Sequence, residues 1–248
     1  MTGAGGRDAC EPAARRMEIE TSPMITITSL TKAYGDQTVL DDASAVFSLG
    51  RVSYLLGPNG SGKTTLFKCL LGLERHGGTV EFSGRPLADV REHVFPVFDD
   101  CPLYPHLSGF ENLRHLTGHR VTWDDVRAVA DGALDRASLR KPARSLSYGQ
   151  RKKLYTIGLL IARPAYILLD ELANGLDYDS LQWLRGSIER LKENGVVVAS
   201  GHQFDFYDKV ADDVFALSEK RLSRLDFNHD HGDSLEAVYL RHRANAPR

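Results

Sequence analysis

The stretch Gly57-Pro58-Asn59-Gly60-Ser61-Gly62-Lys63-Thr64-Thr65 constrains this 248-residue chain more than any other feature. It follows the apolar run Val52–Leu56 and opens a helical pattern, the strand–loop–helix context in which a glycine-rich loop curls around phosphate. Glycines let successive N–H groups turn inward, and the helix N-terminus adds partial positive charge at the same point. Lys63 is placed to neutralise the outer phosphates of a nucleoside triphosphate, and the Thr64 hydroxyl to ligate Mg2+. Taken alone, the loop implies triphosphate binding and no particular reaction.

Around it, short β-like runs alternate with helical patterns, as in an α/β domain built on a largely parallel sheet. Residues 25–30 and 43–49 alternate like strands of a half-exposed sheet. By contrast, 52–56, 166–169 and 196–199 are continuous apolar runs, the signature of buried, central parallel strands. Leu181, Leu184, Ile188 and Leu191 recur at helical spacing and stop at Asn194-Gly195, which leads into the next strand as a βαβ unit. Between 100 and 162 only helical stretches stand out, so a helical subdomain is expected to interrupt the sheet.

The run from Tyr166 to Leu169 ends in Asp170-Glu171. Alternation along a strand predicts that the two carboxylates point to different sides. Asp170 can then reach a Mg2+ shell, and Glu171 can act as general base on a water beside the γ-phosphate. A lone Asp-Glu pair is more often a solvated strand end, and the phosphate loop is what favours the catalytic reading. Further along, Leu146-Ser147-Tyr148-Gly149-Gln150 contains S-x-x-Q, the spacing of a helix capping box. A cap alone would satisfy that pattern, although the uncapped N–H groups beyond it also attract anions.

With these elements in order, the chain resembles the ABC ATPases, and the resemblance covers most of residues 25–226. The 146–150 stretch is similar to their signature sequence. Tyr34, in Lys32-Ala33-Tyr34-Gly35, resembles the aromatic residue that stacks on adenine, though it could also pack a strand edge. The segment Ala173-Asn174-Gly175-Leu176-Asp177 resembles the D-loop with Asp177 at a subunit contact, and His202 resembles the switch histidine that senses the γ-phosphate. The resemblance implies a P-loop NTPase fold: a central mostly parallel sheet, an N-terminal antiparallel β subdomain and an inserted α-helical subdomain. It also implies ATP and Mg2+ as cofactors, with Lys63, Glu171 and His202 catalytic. Ser147, Gly149 and Gln150 would complete the ATP site of a second ATPase subunit, identical or related, in trans. The segment 101–113 resembles the surface that receives a helix of a separate transmembrane transporter subunit, which would place the chain in the cytoplasm, peripheral on the inner face of the cell membrane. The wording of the motifs resembles exporters with separately encoded membrane subunits more than importers, and the 84 residues from Lys63 to Ser147 imply a compact helical subdomain.

The chain departs from the family pattern in three places. Asp99 stands where a Mg2+-contacting glutamine is usual, Tyr148 replaces the first signature glycine, and Leu172-Ala173 stands where Pro-Thr is common. Asp99 is therefore expected to ligate Mg2+ alongside Thr64 and Asp170 while adding charge beside the attacking water, with altered metal dependence or slowed hydrolysis.

A formal net charge of -2 gives no footprint for gripping nucleic acid. The cysteines, Cys10, Cys69 and Cys101, are odd in number and lack ligand spacing, which disfavours a disulfide framework or zinc site and fits a reducing cytosol. The longest mostly apolar stretch, 154–162, is far below the ~20 residues of a membrane-spanning helix. Residues 1–23 read as a flexible N-terminal extension with Met17 and Met24 as candidate starts, 24–228 as the ATPase domain with its helical subdomain at about 100–162, and 229–248 as a polar C-terminal extension. Within that extension, His229 and His231 resemble metal ligands only superficially. The run Arg151-Lys152-Lys153 reads as a solvated helix face. Two other classes share these motifs: a non-transport ABC ATPase acting on a soluble partner, and a nucleotide-gated binding module with little turnover. Kinases and GTPases leave the 146–150 stretch unexplained.

Overall fold

The computed structural model describes residues 24–118, 120–228 and 232–245. The N-terminal extension and the His229/His231 pair lie outside the described residues. From the start, β1 (Met24–Tyr34) and β2 (Gln37–Ser48) form an antiparallel pair across the Gly35-Asp36 turn. Next come β3 (Val52–Leu56), α1 (Lys63–Leu70) and β4 (Gly77–Phe82), which returns to the free side of β1 to make a three-stranded sheet of order β2-β1-β4. This is the N-terminal antiparallel subdomain that the family resemblance implies, and the alternating runs 25–30 and 43–49 lie in β1 and at the end of β2.

A short helix α2 (Leu87–Val90) leads to β5 (Val94–Val97). Helices α3 (Gly109–Thr117), α4 (Trp123–Ala130), α5 (Arg136–Leu139) and α6 (Tyr148–Ala162) follow before the chain returns as β6 (Tyr166–Asp170). Then come α7 (Tyr178–Lys192), β7 (Val196–Ser200), α8 (Phe204–Tyr207), β8 (Asp213–Ser218), β9 (Arg221–Leu225) and α9 (Leu235–Asn245). The second sheet has the order β5-β6-β7-β3-β8-β9, parallel throughout except for the β8/β9 hairpin. The three continuous apolar runs, β3, β6 and β7, are adjacent in its middle and buried along their full length.

Each run serves two cores because side chains alternate along a strand. Val52, Tyr54, Leu56, Ile167, Leu169, Val197 and Ala199 face the helical side, where they join Leu154 and Ile157 of α6 and Leu184 and Ile188 of α7. Leu55, Leu168, Val196 and Val198 face the other side, against Leu66 and Phe67 of α1 and against Ile25, Ile27 and Phe47 of the antiparallel sheet. Burial on both faces removes the need for polar residues, so these strands show no alternation in sequence.

Capping sets the helix starts between 100 and 162. Ser108/Glu111, Thr122/Asp125 and Ser147/Gln150 each form a reciprocal capping box at the start of α3, α4 and α6. The C-terminal region differs from the expected polar extension. Leu235 and Val238 of α9 are buried in the helical-side core, and the Leu235 N–H donates to Asp208 Oδ1 at 2.8 Å. The apolar residues of α9 are spread around the helix, with Leu235 and Val238 buried but Leu240 57% exposed, so they give little periodic signal and the sequence reads as an extension there. Cys69 and Cys101 are free and buried, and burial pushes the Cys101 thiol up to about 12, well away from a reactive thiolate. Among the described residues, no helix is long and apolar enough to cross a membrane.

Candidate functional site

Strand register brings the candidate residues together. Leu55 of β3 and Asp170 of β6 both pair with Ser200 of β7. The phosphate loop, the turn after Asp170 and the Gly201-His202 step therefore leave the sheet at one edge, the carboxyl edge, where open parallel sheets bind ligands.

The loop is built to receive an anion. Gly62 is the N-cap of α1 with φ 109°, a conformation open to glycine, and no side chain caps the helix, so its first N–H groups have no side-chain acceptor. Ser61 Oγ is buried without a hydrogen-bond partner, an orphaned hydroxyl that a phosphate oxygen would satisfy. Pro58, Asn59 and Gly60 are exposed along the loop, and Thr65 lies in the first turn of α1. Lys63 is only 7% exposed, and its Nζ donates to Gly57 O at 2.7 Å and Pro58 O at 3.2 Å. Burial holds its ammonium below the usual lysine range, partly countered by the Glu171 and Asp170 carboxylates. A cation already desolvated at the loop mouth interacts strongly with a phosphate that reaches it.

Thr64 Oγ1 donates to Asp170 Oδ2 at 2.8 Å, and Ser200 Oγ donates to Asp170 Oδ1 at 2.5 Å. The hydroxyl and carboxylate assigned to Mg2+ from sequence are thus already in contact. Hard oxygen donors from two residues, with substrate phosphates supplying more, are the usual way a protein holds Mg2+.

Glu171 does not extend the strand. It has φ 61°, so its divergence from Asp170 comes from a left-handed turn rather than from strand alternation. That conformation costs a non-glycine residue on the order of 1–3 kcal/mol and persists only where surroundings enforce it. Here the Glu171 N–H donates to Ser200 O at 3.0 Å. Asn174 Nδ2 donates to Oε2 at 2.5 Å, and His202 Nε2 lies 3.2 Å from Oε1. His202 is pinned through its neighbours: Tyr54 Oη donates to Gly201 O at 2.6 Å and Tyr207 Oη to Ser200 O at 2.9 Å. A Cβ on Gly201 would lie 2.3 Å from the Tyr207 ring, so glycine is required there. Tyr54 escapes sequence reasoning because its partner Gly201 is remote in the chain, and Tyr207 because no spacing rule returns it to Ser200 at the end of β7.

Asp99 belongs to a different cluster from the Thr64–Asp170 pair. Its Oδ1 accepts from Tyr148 Oη at 2.5 Å and from Lys152 Nζ at 3.0 Å. Burial alone would raise its carboxyl, but the bonds from Tyr148 and Lys152 outweigh that and hold it below the usual range. Lys152 corrects the reading of 151–153 as a solvated face: it is 1% exposed and also donates to Glu171 O at 3.2 Å and Asn174 O at 2.8 Å. A cation run conceals this because only the middle residue lies on the inward stripe of α6.

The remaining candidates sit at the surface. Tyr34 is 44% exposed at the end of β1, with Lys32 Nζ 4.5 Å from its ring centroid. Ser147 is exposed, and its Oγ accepts from the Gln150 N–H at 3.2 Å. Gly149 is uncrowded within its own chain, since a Cβ there would meet only Leu176 Cδ2, at an ordinary 3.6 Å. Asp177 is exposed and N-caps α7 through the Ser180 N–H at 2.8 Å.

A phosphate loop, a buried aspartate and a following glutamate at the carboxyl edge of a parallel sheet define the class of P-loop nucleotide-binding proteins. Residues 40–174 match the family described as ABC transporter, and the chain belongs to that family. It is 30% identical over 225 residues to the lantibiotic transport ATP-binding protein SrtF of Streptococcus pyogenes, covering 87% of this chain and 96% of that one. To the spermidine/putrescine import ATP-binding protein PotA of Pasteurella multocida (strain Pm70) it is 30% identical over 184 residues, 70% of this chain and 50% of that one. A solved ATP-binding subunit of an ABC transporter superposes with a TM-score of 0.77 at 22% identity, covering 88% of this chain and 98% of that chain. A bacterial Atm1-family ABC exporter with ATP bound superposes at 0.76 and 19% identity, over 91% and 43%. These two likenesses bear on the fold. As a member of that family the chain is an ATP-binding protein.

Proposed function

We propose that the chain hydrolyses Mg2+-ATP as one half of a head-to-tail pair and that hydrolysis drives a cargo through a separate membrane subunit. The observation that supports this most is the meeting of Lys63, the Thr64–Asp170 contact and the Glu171–His202 contact at one sheet edge. The loop N–H groups, Lys63 and Ser61 bind the phosphates, and Tyr34 offers its exposed ring to adenine. Thr64 and Asp170 would hold Mg2+, which when bound neutralises phosphate charge. Glu171, fixed by Asn174 and His202, takes the proton of the attacking water, while His202 reports loss of the γ-phosphate.

The second copy enters through α6. Gly149, in the first turn of α6, has ordinary room for a side chain within its own chain, and the lack of one there fits close approach of a phosphate held elsewhere. With exposed Ser147 and the Gln150-stabilised helix start, it forms an anion-binding end for the ATP of a partner, with Asp177 at the same contact. We assign 24–228 to the ATPase domain.

Force leaves through 101–113. Buried Asn112 braces this segment, accepting from the Tyr104 N–H and sharing its two Nδ2 hydrogens among the carbonyls of Tyr104, Leu107 and Ser108, 3.0–3.2 Å away. Tyr104 stays 58% exposed with its ring centroid 4.9 Å from that of His115, which with Glu111, Arg114, Gly118 and Arg120 lines an open hollow of about 870 Å³. A rigid segment with an exposed aromatic beside a hollow suits a short helix of a membrane protein, and the chain works at the inner face of the membrane. Affinity purification of the tagged chain from native membranes is expected to bring down a polytopic membrane protein and to change ATP turnover when the two are combined. Recovery of a soluble partner instead, with no membrane protein, would contradict the transport reading.

A further inference from the structure

The geometry points to Lys152, anchored by Asp99 and Tyr148, as the group that sets the position of Glu171. Resting on the ATPase reading above, the inference adds positioning residues and gives Asp99 a role other than metal ligation.

A buried ammonium needs acceptors for its three N–H bonds. Lys152 finds three: the Asp99 carboxylate, the Glu171 carbonyl and the Asn174 carbonyl. The last two belong to one turn, whose own bond from Asn174 Nδ2 orients the Glu171 carboxylate. Lys152 thus holds the left-handed peptide unit of Glu171 directly and its side chain through Asn174. Tyr148 lies one helical turn earlier on the same face of α6. Its ring sits 4.5 Å from Lys152 Nζ, and a Cβ on Gly175 would come within 2.9 Å of it. The turn from Glu171 to Gly175 is therefore clamped by two side chains of α6, one of them charged and both tied to Asp99 by hydrogen bonds.

The arrangement accounts for two departures from the family pattern together. A carboxylate at 99 and a phenol at 148 are a matched acceptor and donor: Tyr148 would lose its carboxylate acceptor if Asp99 were changed alone, and Asp99 would keep only Lys152 if Tyr148 were. Because Ser147 adjoins Tyr148, the clamp also ties the anion-binding end of α6 to the base within the same chain. Displacement of α6 is thereby transmitted to Glu171 through Lys152.

The test is steady-state ATP turnover and fluorescent-ATP binding on the full chain, with Mg2+ titration and thermal unfolding alongside. Lys152→Met is expected to lower kcat by about 10- to 100-fold with KM within about 3-fold of wild type, the mark of misplaced chemistry rather than lost binding. Asp99→Asn, which removes the charge facing Lys152 but keeps an accepting oxygen, and Tyr148→Phe, which removes the donor, are each expected to lower kcat by about 3- to 10-fold, and the double variant by less than the product of the two, because both changes act on the Asp99–Tyr148 contact. The Mg2+ concentration for half-maximal rate stays unchanged in all of them.

Wild-type kcat in Lys152→Met overturns the proposal. If that variant does not fold, the two partly exposed positions decide: wild-type kcat in both Asp99→Asn and Tyr148→Phe overturns it equally. A shifted Mg2+ requirement in Asp99→Asn but not in Tyr148→Phe makes Asp99 a metal ligand and does the same. Glu171→Gln run in parallel separates this failure from that of the parent reading, since only the latter leaves Glu171→Gln as active as wild type.

Discussion

Glu171→Gln lowers kcat by about 100- to 10,000-fold, the range expected for loss of a general base, while ATP affinity stays within a few-fold of wild type. The substitution is close to isosteric and keeps the local bonds. Gln Oε1 can accept from Asn174 Nδ2, now 2.5 Å from Glu171 Oε2, and the new amide can donate toward His202 Nε2, now 3.2 Å from Oε1. The side chain therefore stays in place and loses only its capacity to take a proton. Turnover and binding of a fluorescent ATP analogue on the same preparation check both halves. Equal trace rates in the two proteins would instead make the chain a nucleotide-gated binding module.

Lys63→Ala weakens ATP binding by about 100-fold or more, because a charge-assisted hydrogen bond contributes roughly 1.5–3 kcal/mol and this cation makes more than one. The same change removes the bonds from Nζ to Gly57 O and Pro58 O, so the loop also loses an internal brace. Lys63→Arg does not restore binding, since a planar fork does not replace a compact ammonium in a site that is 7% exposed. Titration with Mg2+-ATP measures the effect; affinity within about 3-fold of wild type in Lys63→Ala would place the phosphates elsewhere.

What the sequence makes legible here is local. The apolar runs at β3, β6 and β7 declare buried strands because nothing polar interrupts them, and S-x-x-Q at Ser147–Gln150 declares a helix start because both ends of the cap lie within four residues. The phosphate loop is contiguous for the same reason. What stays hidden depends on residues far apart in the chain. Lys152 looks solvated beside Arg151 and Lys153, and only the packing of α6 against the Glu171 turn buries it. Strand alternation gives the right divergence of Asp170 and Glu171 for the wrong reason, because the chain leaves β6 at Asp170 and turns through φ 61° at the next residue. Tyr54 and Tyr207 brace the His202 step from separate elements, and no spacing rule connects them.

Both substitutions above act within one chain, whereas the account as a whole requires two. The most direct measurement is the mass in solution of the Glu171→Gln protein with and without Mg2+-ATP, by light scattering after size exclusion, repeated on the membrane complex. The expected result is an ATP-dependent doubling of mass that Ser147→Arg abolishes by filling the α6 end. A Glu171→Gln protein that binds ATP yet stays monomeric, both free and on its membrane partner, would contradict it.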